Sequence, residues 1–176
     1  APIALDDLAR ESGLLARRID NLLALARLEA GRSVPHAEPT PPADLFRAAR
    51  EGLTLVLVAH PVHVSIAADC PDAFADPSLV VEVLVNLVEN AARAAPDGTA
   101  IELTAARHPV EPRLVRLEVA DRGPGFAPEA LPGAEGELVD GGRRGLGLEI
   151  ARALAVANGG HLSLHPRTGG GTIARV

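Results

Sequence analysis

Two asparagines and an arginine at helical spacing are the first residues of this sequence that could do chemistry. Asn86, Asn90 and Arg93 lie in the stretch VVEVLVNLVENAARAA, residues 80–95. Residues three and four apart share one face of a helix, and asparagine is a mediocre helix former, so its repetition needs a reason. Amide oxygens are hard acceptors of the kind that magnesium takes alongside phosphate oxygens. The alternative is a polar stripe on a solvated helix, and this helix alone does not decide between the two.

A short stretch with one aspartate and two glycines follows a predicted strand further along the chain. It reads Asp121-Arg122-Gly123-Pro124-Gly125. A carboxylate at the end of a strand can accept a hydrogen bond from an exocyclic amine, and glycines let the backbone approach a flat ring. Taken alone, an aspartate beside glycines is more often a simple turn.

A second glycine-rich stretch, GGRRGLGL at residues 141–148, leads into a helix predicted over 146–158. Glycines before a helix N-terminus direct backbone N–H groups and the positive end of the helix dipole toward an anion. Arg143 and Arg144 add positive charge at the same place. A flexible surface loop is the alternative. The stretch is neither the Rossmann nor the P-loop motif, because it lacks both the third glycine and the Lys-Ser/Thr pair.

Length and composition limit the possible functions. The 176 residues suffice for one domain with a proper core and an appended element. A net charge of −6, without Lys/Arg clusters beside aromatics, argues against a nucleic-acid partner. Cys70 is the only cysteine, so no disulfide framework and no zinc site are expected. No stretch approaches the roughly 18 consecutive apolar residues of a membrane span, and no signal peptide is recognisable.

Apolar periodicity predicts the elements that position these stretches. The pattern indicates an α/β (α+β) two-layer sandwich, in which helices cover one face of a mixed, mostly antiparallel sheet. Helices are predicted over residues 43–59, over the asparagine stretch from an Asp76 N-cap to the stop at Pro96-Asp97-Gly98, and over 146–158. Strands are predicted over 62–67, 99–107, 114–120, 161–165 and 172–176, with the second and third forming an antiparallel pair and the last two a final pair.

Residues 3–32 are predicted to form one long helix ahead of this domain. Leu8, Leu15 and Leu22 are spaced by seven, and polar residues fill most of the remaining positions. This spacing is typical of a seam that packs against a partner helix, in the same chain or in a dimer. A helix lying on its own domain is the alternative, which the proline-rich break that follows disfavours. The predicted organisation is a helical segment at 1–33, a linker at 34–42 and a globular domain at 43–176.

Together the three stretches resemble the N, G1 and G2 boxes of the ATP-binding catalytic domain of sensor histidine kinases. That family belongs to the larger group of gyrase, heat-shock chaperone and mismatch-repair ATPases. The matching residues are Asn86-x-x-x-Asn90-Ala91 for the N box, Asp121-x-Gly123-x-Gly125 for the G1 box and Gly145-Leu146-Gly147-Leu148 for the G2 box. The run Gly169-Gly170-Gly171-Thr172 is similar to the last glycine motif of the domain, and residues 3–32 resemble the second helix of the dimerisation and phosphoacceptor hairpin.

The resemblance implies a site for ATP and Mg²⁺. Asp121 would read the adenine amino group, with Thr172 supporting it through water. Asn90, together with Asn86, would hold magnesium on the triphosphate, and Arg93 would contact phosphate. These assignments suit phosphoryl transfer, which needs mainly positioning and charge neutralisation.

The same resemblance assigns the remaining phosphate contacts to the G2 region. Backbone N–H groups from Gly145 to Leu148, with Leu146 and Gly147 between them, would wrap the phosphates beside Arg143 and Arg144. Residues 126–144 would form a mobile lid over the nucleotide. This lid departs from the family pattern: it is short and lacks the phenylalanine-rich F box, because Phe126 lies too close to the G1 box and no other aromatic residue follows it.

A further departure is that no histidine is predicted on a helix, so the phosphoacceptor helix is expected before Ile3. The resemblance therefore implies transfer of the ATP γ-phosphate to a histidine on a phosphoacceptor helix of the same or a partner subunit. From there the phosphoryl group would pass to an aspartate of a response regulator receiver domain. A homodimeric parent protein, anchored in a membrane with this part in the cytoplasm, is also implied.

Two other functions are considered on the same residues. ATPases and anti-sigma-type serine kinases of this fold place a glutamate general base where this chain has Asn86, and an amide cannot take a proton at neutral pH. Glu82 and Glu89 lie close enough in sequence to weaken that argument. The other alternative, a degenerate pseudokinase or dimerisation module, is favoured by the missing F box and disfavoured by the intact Asp121, Asn90 and glycine boxes.

Overall fold

The computed structural model describes residues 34–125 and 146–176, together with six residues near the N-terminus. The chain divides into two compact units, Ala1–Val34 and Pro35–Val176. In the first unit the described residues ahead of Val34 are all helical, in agreement with the predicted long helix; they are Ser12, Gly13, Ala16, Ile19, Leu23 and Ala26. The pairing of this helix with a partner helix, and its joining to the domain by a linker, stay predictions.

The second unit contains the sheet and the helices that position the site. In chain order its described elements are β1 (Glu38–Thr40), α1 (Pro42–Glu51), a 3-10 helix (Val56–Ala59), β2 (Val62–Ile66), β3 (Ala73–Ala75), α2 (Pro77–Ala94), β4 (Ile101–Arg107), β5 (Val115–Ala120), α3 (Leu146–Ala157), β6 (Ser163–Pro166) and β7 (Thr172–Arg175). Five strands form one sheet in the order β2-β4-β5-β7-β6. Strands β2 and β4 are parallel, and the other neighbours are antiparallel. Strands β1 and β3 form a separate antiparallel pair.

The predicted sandwich with a mixed, mostly antiparallel sheet is confirmed. Along β4 the side chains alternate between buried and partly exposed, as expected for a strand with helices on one face only. The core is aliphatic, with one buried phenylalanine, and its fully buried large side chains are Phe46, Leu45, Leu53, Leu84, Ile101, Leu103, Ile150, Leu154, Val83 and Val88. Burial of each such side chain contributes about 1.5–3 kcal/mol relative to exposure. In the part of the chain that the structure describes, no helix has the length and apolar character needed to cross a membrane.

The chain between α1 and β2 differs from the prediction. The helix predicted over 43–59 ends at Glu51, with Gly52 as its C-cap, and residues 56–59 form only the 3-10 helix. Glycine costs about 1 kcal/mol relative to alanine inside a helix, and the β-branched residues Thr54, Val56 and Val58 further disfavour helix. The β1–β3 pair was not predicted either, because each strand has only three residues and β1 falls in the expected linker.

A polar cluster around Asp76 fixes the N-terminus of α2, where the N-cap was predicted. The Asp76 carboxylate accepts hydrogen bonds from the backbone N–H groups of Ser78 (3.0 Å), Leu79 (3.4 Å) and His36 (2.8 Å). Asn158, just after α3, uses its side-chain amide to pair with both the N–H (2.8 Å) and the C=O (3.1 Å) of Asp76. The start of α2 is therefore joined to the end of α3.

Asp76→Ala is expected to lower the free energy of unfolding at neutral pH by about 1–2 kcal/mol, the usual cost of losing an aspartate N-cap. Burial opposes ionisation of this carboxyl, but its hydrogen bonds to Ser78, His36 and Leu79 together lower its pKa below the ordinary value of 3.8. A lowered folded-state pKa contributes stability that is present above the unfolded-state pKa and is lost as the pH falls through the folded-state pKa. Urea unfolding should therefore show the difference between the two proteins shrinking below pH 3.8.

The matched control for this prediction is Asp72→Ala, which removes an exposed aspartate from the loop before β3. It is expected to change stability by less than about 0.5 kcal/mol at any pH. An Asp76→Ala deficit that stays constant down to strongly acidic pH would show that the carboxylate is not what stabilises this helix start.

Candidate nucleotide-binding site

Asp121 lies directly after β5 and is buried, with 4% of its surface exposed. Its Oδ1 accepts hydrogen bonds from the backbone N–H groups of Gly123 at 2.6 Å and Thr172 at 3.3 Å. The backbone N–H of Asp121 donates to the carbonyl of Thr172 at 3.0 Å, which extends the pairing of β5 with β7. Among the described residues, both hydrogen bonds to the carboxylate end on Oδ1.

The protonation of Asp121 is set by opposing effects. Burial raises the pKa of this carboxyl above its ordinary range, although the N–H groups of Gly123 and Thr172 and the positive charge of Arg167 act in the other direction. A buried carboxylate that has lost part of its hydration gains more from an incoming N–H donor than an exposed one does. The site is therefore suited to a ligand that donates a hydrogen bond at this point.

Glycines allow three backbone segments to meet around Asp121. A Cβ on Gly123 would lie 2.7 Å from the carbonyl oxygen of Ala94, the last residue of α2. Gly125 has a φ of +70°, and its Cβ would lie 3.1 Å from the carbonyl oxygen of Gly171. Gly171 itself has a φ of +107°, and its Cβ would overlap the carbonyl oxygen of Asp121. The G1 stretch, the last glycine motif and the end of α2 are thus in backbone contact that only glycine permits.

The two asparagines of α2 lie at different depths. Asn86 is buried at 4% exposure, and its Nδ2 donates to the carbonyl of Glu82 at 2.8 Å. Its Oδ1 lies against the start of α3, because a Cβ on Gly147 would be 3.1 Å from it. Asn90 and Arg93 are exposed. Because Asn158 after α3 bonds to Asp76 before α2, while the start of α3 meets Asn86, the two helices run antiparallel. Asn86 is packed beneath the G2 region, and Asn90 is exposed.

The structure brings most of the predicted motif residues together. Helix α2, which carries the N box, contacts the G1 stretch through Ala94 and the G2 region through Asn86, and the last glycine motif contacts Asp121. Leu148, in the first turn of α3, is partly exposed. The predicted lid at 126–144, with Arg143, Arg144 and also Gly145, lies outside the described residues, as does the side chain of Leu146. All six histidines are described, and none lies on a helix, as predicted.

Two residues that the sequence did not single out lie behind Asp121. Arg167, between β6 and β7, donates from Nη1 to the backbone carbonyl of Asp121 at 3.2 Å and from Nη2 to Oε1 of Glu102 at 2.6 Å. The only sequence signals were weak ones: Glu102 is a charged residue in an alternating strand, and Arg167 comes shortly before three glycines. Neither belongs to a box of the family.

Comparisons with known proteins agree with this geometry. Residues 75–176 match the family described as "Histidine kinase-, DNA gyrase B-, and HSP90-like ATPase". Sensor protein KdpD of Clostridium acetobutylicum is 27% identical over 167 residues, which cover 90% of this chain and 18% of that protein. A probable sensor histidine kinase HK of Mycobacterium tuberculosis is 33% identical over 185 residues, covering 98% of this chain and 44% of that protein. The crystal structure of full-length ShkA in complex with AMPPNP has a TM-score of 0.72 and 28% identity, covering 94% of this chain and 36% of that one.

The chain belongs to the family of histidine kinase-, DNA gyrase B- and HSP90-like ATPases. Within that family it carries the ATP-binding catalytic domain of a sensor histidine kinase, so the predicted class and ATP-binding function are confirmed. The chain spans less than half the length of the two curated relatives named above.

Proposed function

We propose that this chain binds ATP with magnesium between the end of α2, the G1 stretch and the start of α3. In the parent protein the γ-phosphate would pass to a histidine on the phosphoacceptor helix of the same or a partner subunit, and then to the receiver domain of a response regulator. The observation that carries the proposal is the buried carboxylate of Asp121, held at Oδ1 by two N–H groups beside glycines that leave no room for a Cβ.

Adenine recognition follows from the two oxygens of Asp121. Since Oδ1 is occupied by the N–H groups of Gly123 and Thr172, Oδ2 is the oxygen that would accept a hydrogen bond from the exocyclic amine. Gly123 and Gly125, where an added Cβ would meet the carbonyl oxygens of Ala94 and Gly171, would hold the G1 backbone in place beside the flat ring. Thr172, whose backbone N–H bonds to the same carboxylate, would support the base through a water molecule bound by its hydroxyl.

The asparagines divide the handling of the triphosphate between them. Exposed Asn90 offers an amide oxygen as a magnesium ligand, whereas buried Asn86 acts through its contact with Gly147 and fixes the start of α3. Among the described residues no group of three or more His, Cys, Asp or Glu side chains could hold a metal ion. A cation that takes few protein ligands and keeps phosphate oxygens and water fits this donor set, which is the usual behaviour of magnesium. Bound magnesium would neutralise charge on the phosphates.

The remaining phosphate contacts are proposed for Arg93 and the G2 region. Arg93 is exposed and lies one turn beyond Asn90, so its guanidinium can reach an anion held there. Arg143 and Arg144, with the backbone N–H groups from Gly145 to Leu148, would complete the cradle. This distribution supports a kinase, because Asn86, at the position of a glutamate base in related ATPases, cannot activate water.

The test is calorimetric titration with a non-hydrolysable ATP analogue, with and without magnesium, beside Asp121→Asn. The amide oxygen of the new asparagine must face the N–H of Gly123. Its NH₂ group would then face the adenine amine, and two hydrogen-bond donors would lie opposite each other without an acceptor. Affinity should fall by about 10–100-fold, the effect of one buried unsatisfied polar group. No binding by the natural chain at millimolar analogue would overturn the proposal in favour of a pseudokinase. Phosphotransfer is tested separately, by assaying phosphohistidine in a longer form that includes the phosphoacceptor helix.

A further inference from the structure

We propose that Arg167 and Glu102 are positioning residues for adenine recognition, because together they hold the backbone of Asp121 in the place from which its carboxylate reads the base. Neither residue would touch the nucleotide. This inference rests on the proposed role of Asp121 as the adenine-reading group.

One guanidinium joins three parts of the sheet at this point. Arg167 is only 13% exposed, and its two terminal nitrogens reach the carbonyl of Asp121 at 3.2 Å and Oε1 of Glu102 at 2.6 Å. Glu102 lies on β4 in register with Ala120, the residue before Asp121 on β5. The planar fork of arginine matches two acceptors at fixed positions, which a lysine ammonium cannot do in the same way. Arg167 therefore locks the end of β5 to β4 from the turn between β6 and β7.

Arg167 also begins the glycine turn that supports the Asp121 carboxylate. Its backbone N–H donates to the carbonyl of Gly171 at 3.1 Å, and its carbonyl accepts from the N–H of Gly170 at 3.1 Å. This turn places Gly171 against the carbonyl of Asp121 and presents the N–H of Thr172 to Oδ1. Loss of the Arg167 side chain would leave these backbone bonds in place but remove the bonds that tie the turn to Asp121 and Glu102.

The charge of Arg167 also affects the pKa of Asp121. Among the described residues, the charged side chains around Asp121 include Arg167 from the β6–β7 turn, the adjacent Arg122, and Glu102 from β4. Glu102 pairs with Arg167 at 2.6 Å and with Arg122 at 3.5 Å. The hydrogen bond from Arg167 is the main cause that lowers the pKa of Glu102. The charge of Arg167 also opposes the rise in the pKa of Asp121 that burial causes. Without Arg167, Asp121 would stay protonated to a higher pH.

The chain offers a matched control on the same sheet. Arg175 Nε pairs with Oε1 of Glu118 at 2.7 Å, and these two residues are register partners on β7 and β5. This is also a partly buried Arg–Glu pair, with 34% and 17% of the side chains exposed. In the part of the chain that the structure describes, neither side chain of this pair is hydrogen-bonded to Asp121, so loss of the pair perturbs the sheet without releasing the adenine-reading carboxylate.

The experiment compares Arg167→Met with Arg175→Met in the full chain, by titration with non-hydrolysable ATP and GTP analogues across acidic and neutral pH. Arg167→Met should weaken the ATP analogue by about 10-fold, reduce the preference for ATP over GTP, and move the loss of ATP binding at acidic pH to a higher pH. Arg175→Met should change none of these. Titration of the nucleotide itself is common to all variants and cancels in the comparison.

Two further variants keep the result interpretable. Arg167→Lys keeps the positive charge but not the two-pronged geometry of the guanidinium. It should therefore lose ATP binding at the same acidic pH as the natural chain and recover only part of the affinity. Glu102→Gln keeps the charge of Arg167, so it should give a smaller loss of ATP-analogue affinity without moving the loss of binding at acidic pH to a higher pH. It tests the positioning role if Arg167→Met does not fold. If Arg167→Met and Glu102→Gln bind like Arg175→Met while Asp121→Asn loses binding, the positioning role is wrong and the role of Asp121 stands. If Asp121→Asn also binds normally, the proposed adenine site itself fails.

Discussion

Gly171→Ala is expected to lower the free energy of unfolding by about 2–5 kcal/mol, the combined cost of a left-handed backbone and an overpacked contact, and to abolish ATP binding. The residue has a φ of +107°, and an added Cβ would overlap the carbonyl oxygen of Asp121. That oxygen belongs to backbone at a strand end, so it cannot rotate away as a flexible side chain can. Relief requires β5 and β7 to separate where Asp121 bonds to Thr172. Urea unfolding and analogue titration measure the two effects.

Gly169→Ala is the control for this expectation. Gly169 lies in the same turn with a φ of +87°, but a Cβ there would meet no heavy atom within 4 Å. It should therefore cost only the backbone strain, about 1–2 kcal/mol, and leave nucleotide binding intact. Equal losses of stability and binding in the two variants would show that backbone conformation alone, and not the approach to Asp121, explains the need for glycine.

The elements that could be predicted from the sequence are those with local signals. Helix α2 was predicted from Asp76 to its stop at Pro96 because caps, proline positions and apolar spacing all act within a few residues of each helix end. Strands β4 and β5 alternate over six or seven residues, which is long enough to see a period of two. The pair of three-residue strands β1 and β3 depends on contact between distant segments, and nothing local in either strand specifies it.

For the site, the sequence identified which residues could bind the nucleotide but not where each of them lies in the fold. Spacing predicted that Asn86 and Asn90 share a face, but it could not predict that one is buried and the other exposed, because the depth is set by α3 lying over Asn86. Asp121 was predicted as a binding residue because it forms a recognisable motif with Gly123 and Gly125. Arg167 was not predicted, because its role depends on contacts with Asp121 and Glu102, which lie 46 and 65 positions earlier in the chain. Motifs identified the groups that would meet the nucleotide, and only the structure identified a side chain that holds one of them.

The difference in depth between the asparagines leads to opposite expectations for their alanine variants. Asn90→Ala should remove the increase in ATP-analogue affinity that magnesium produces, a loss of about 10–100-fold in metal affinity. Its thermal stability should be unchanged or slightly higher, because Asn90 is exposed and alanine is the better helix former. Calorimetric titrations with magnesium and with a chelator, beside a melting curve, measure both properties.

Asn86→Ala is the matched comparison on the same helix face. It removes the hydrogen bond from Nδ2 to the carbonyl of Glu82 and leaves a gap against Gly147, so it should cost about 1–3 kcal/mol of stability. Magnesium should still strengthen binding in the fraction that is folded, because the exposed ligand at position 90 is intact. If Asn90→Ala keeps its magnesium dependence and Asn86→Ala loses it while melting normally, the assignment is reversed, and the buried asparagine is the one that reaches the metal.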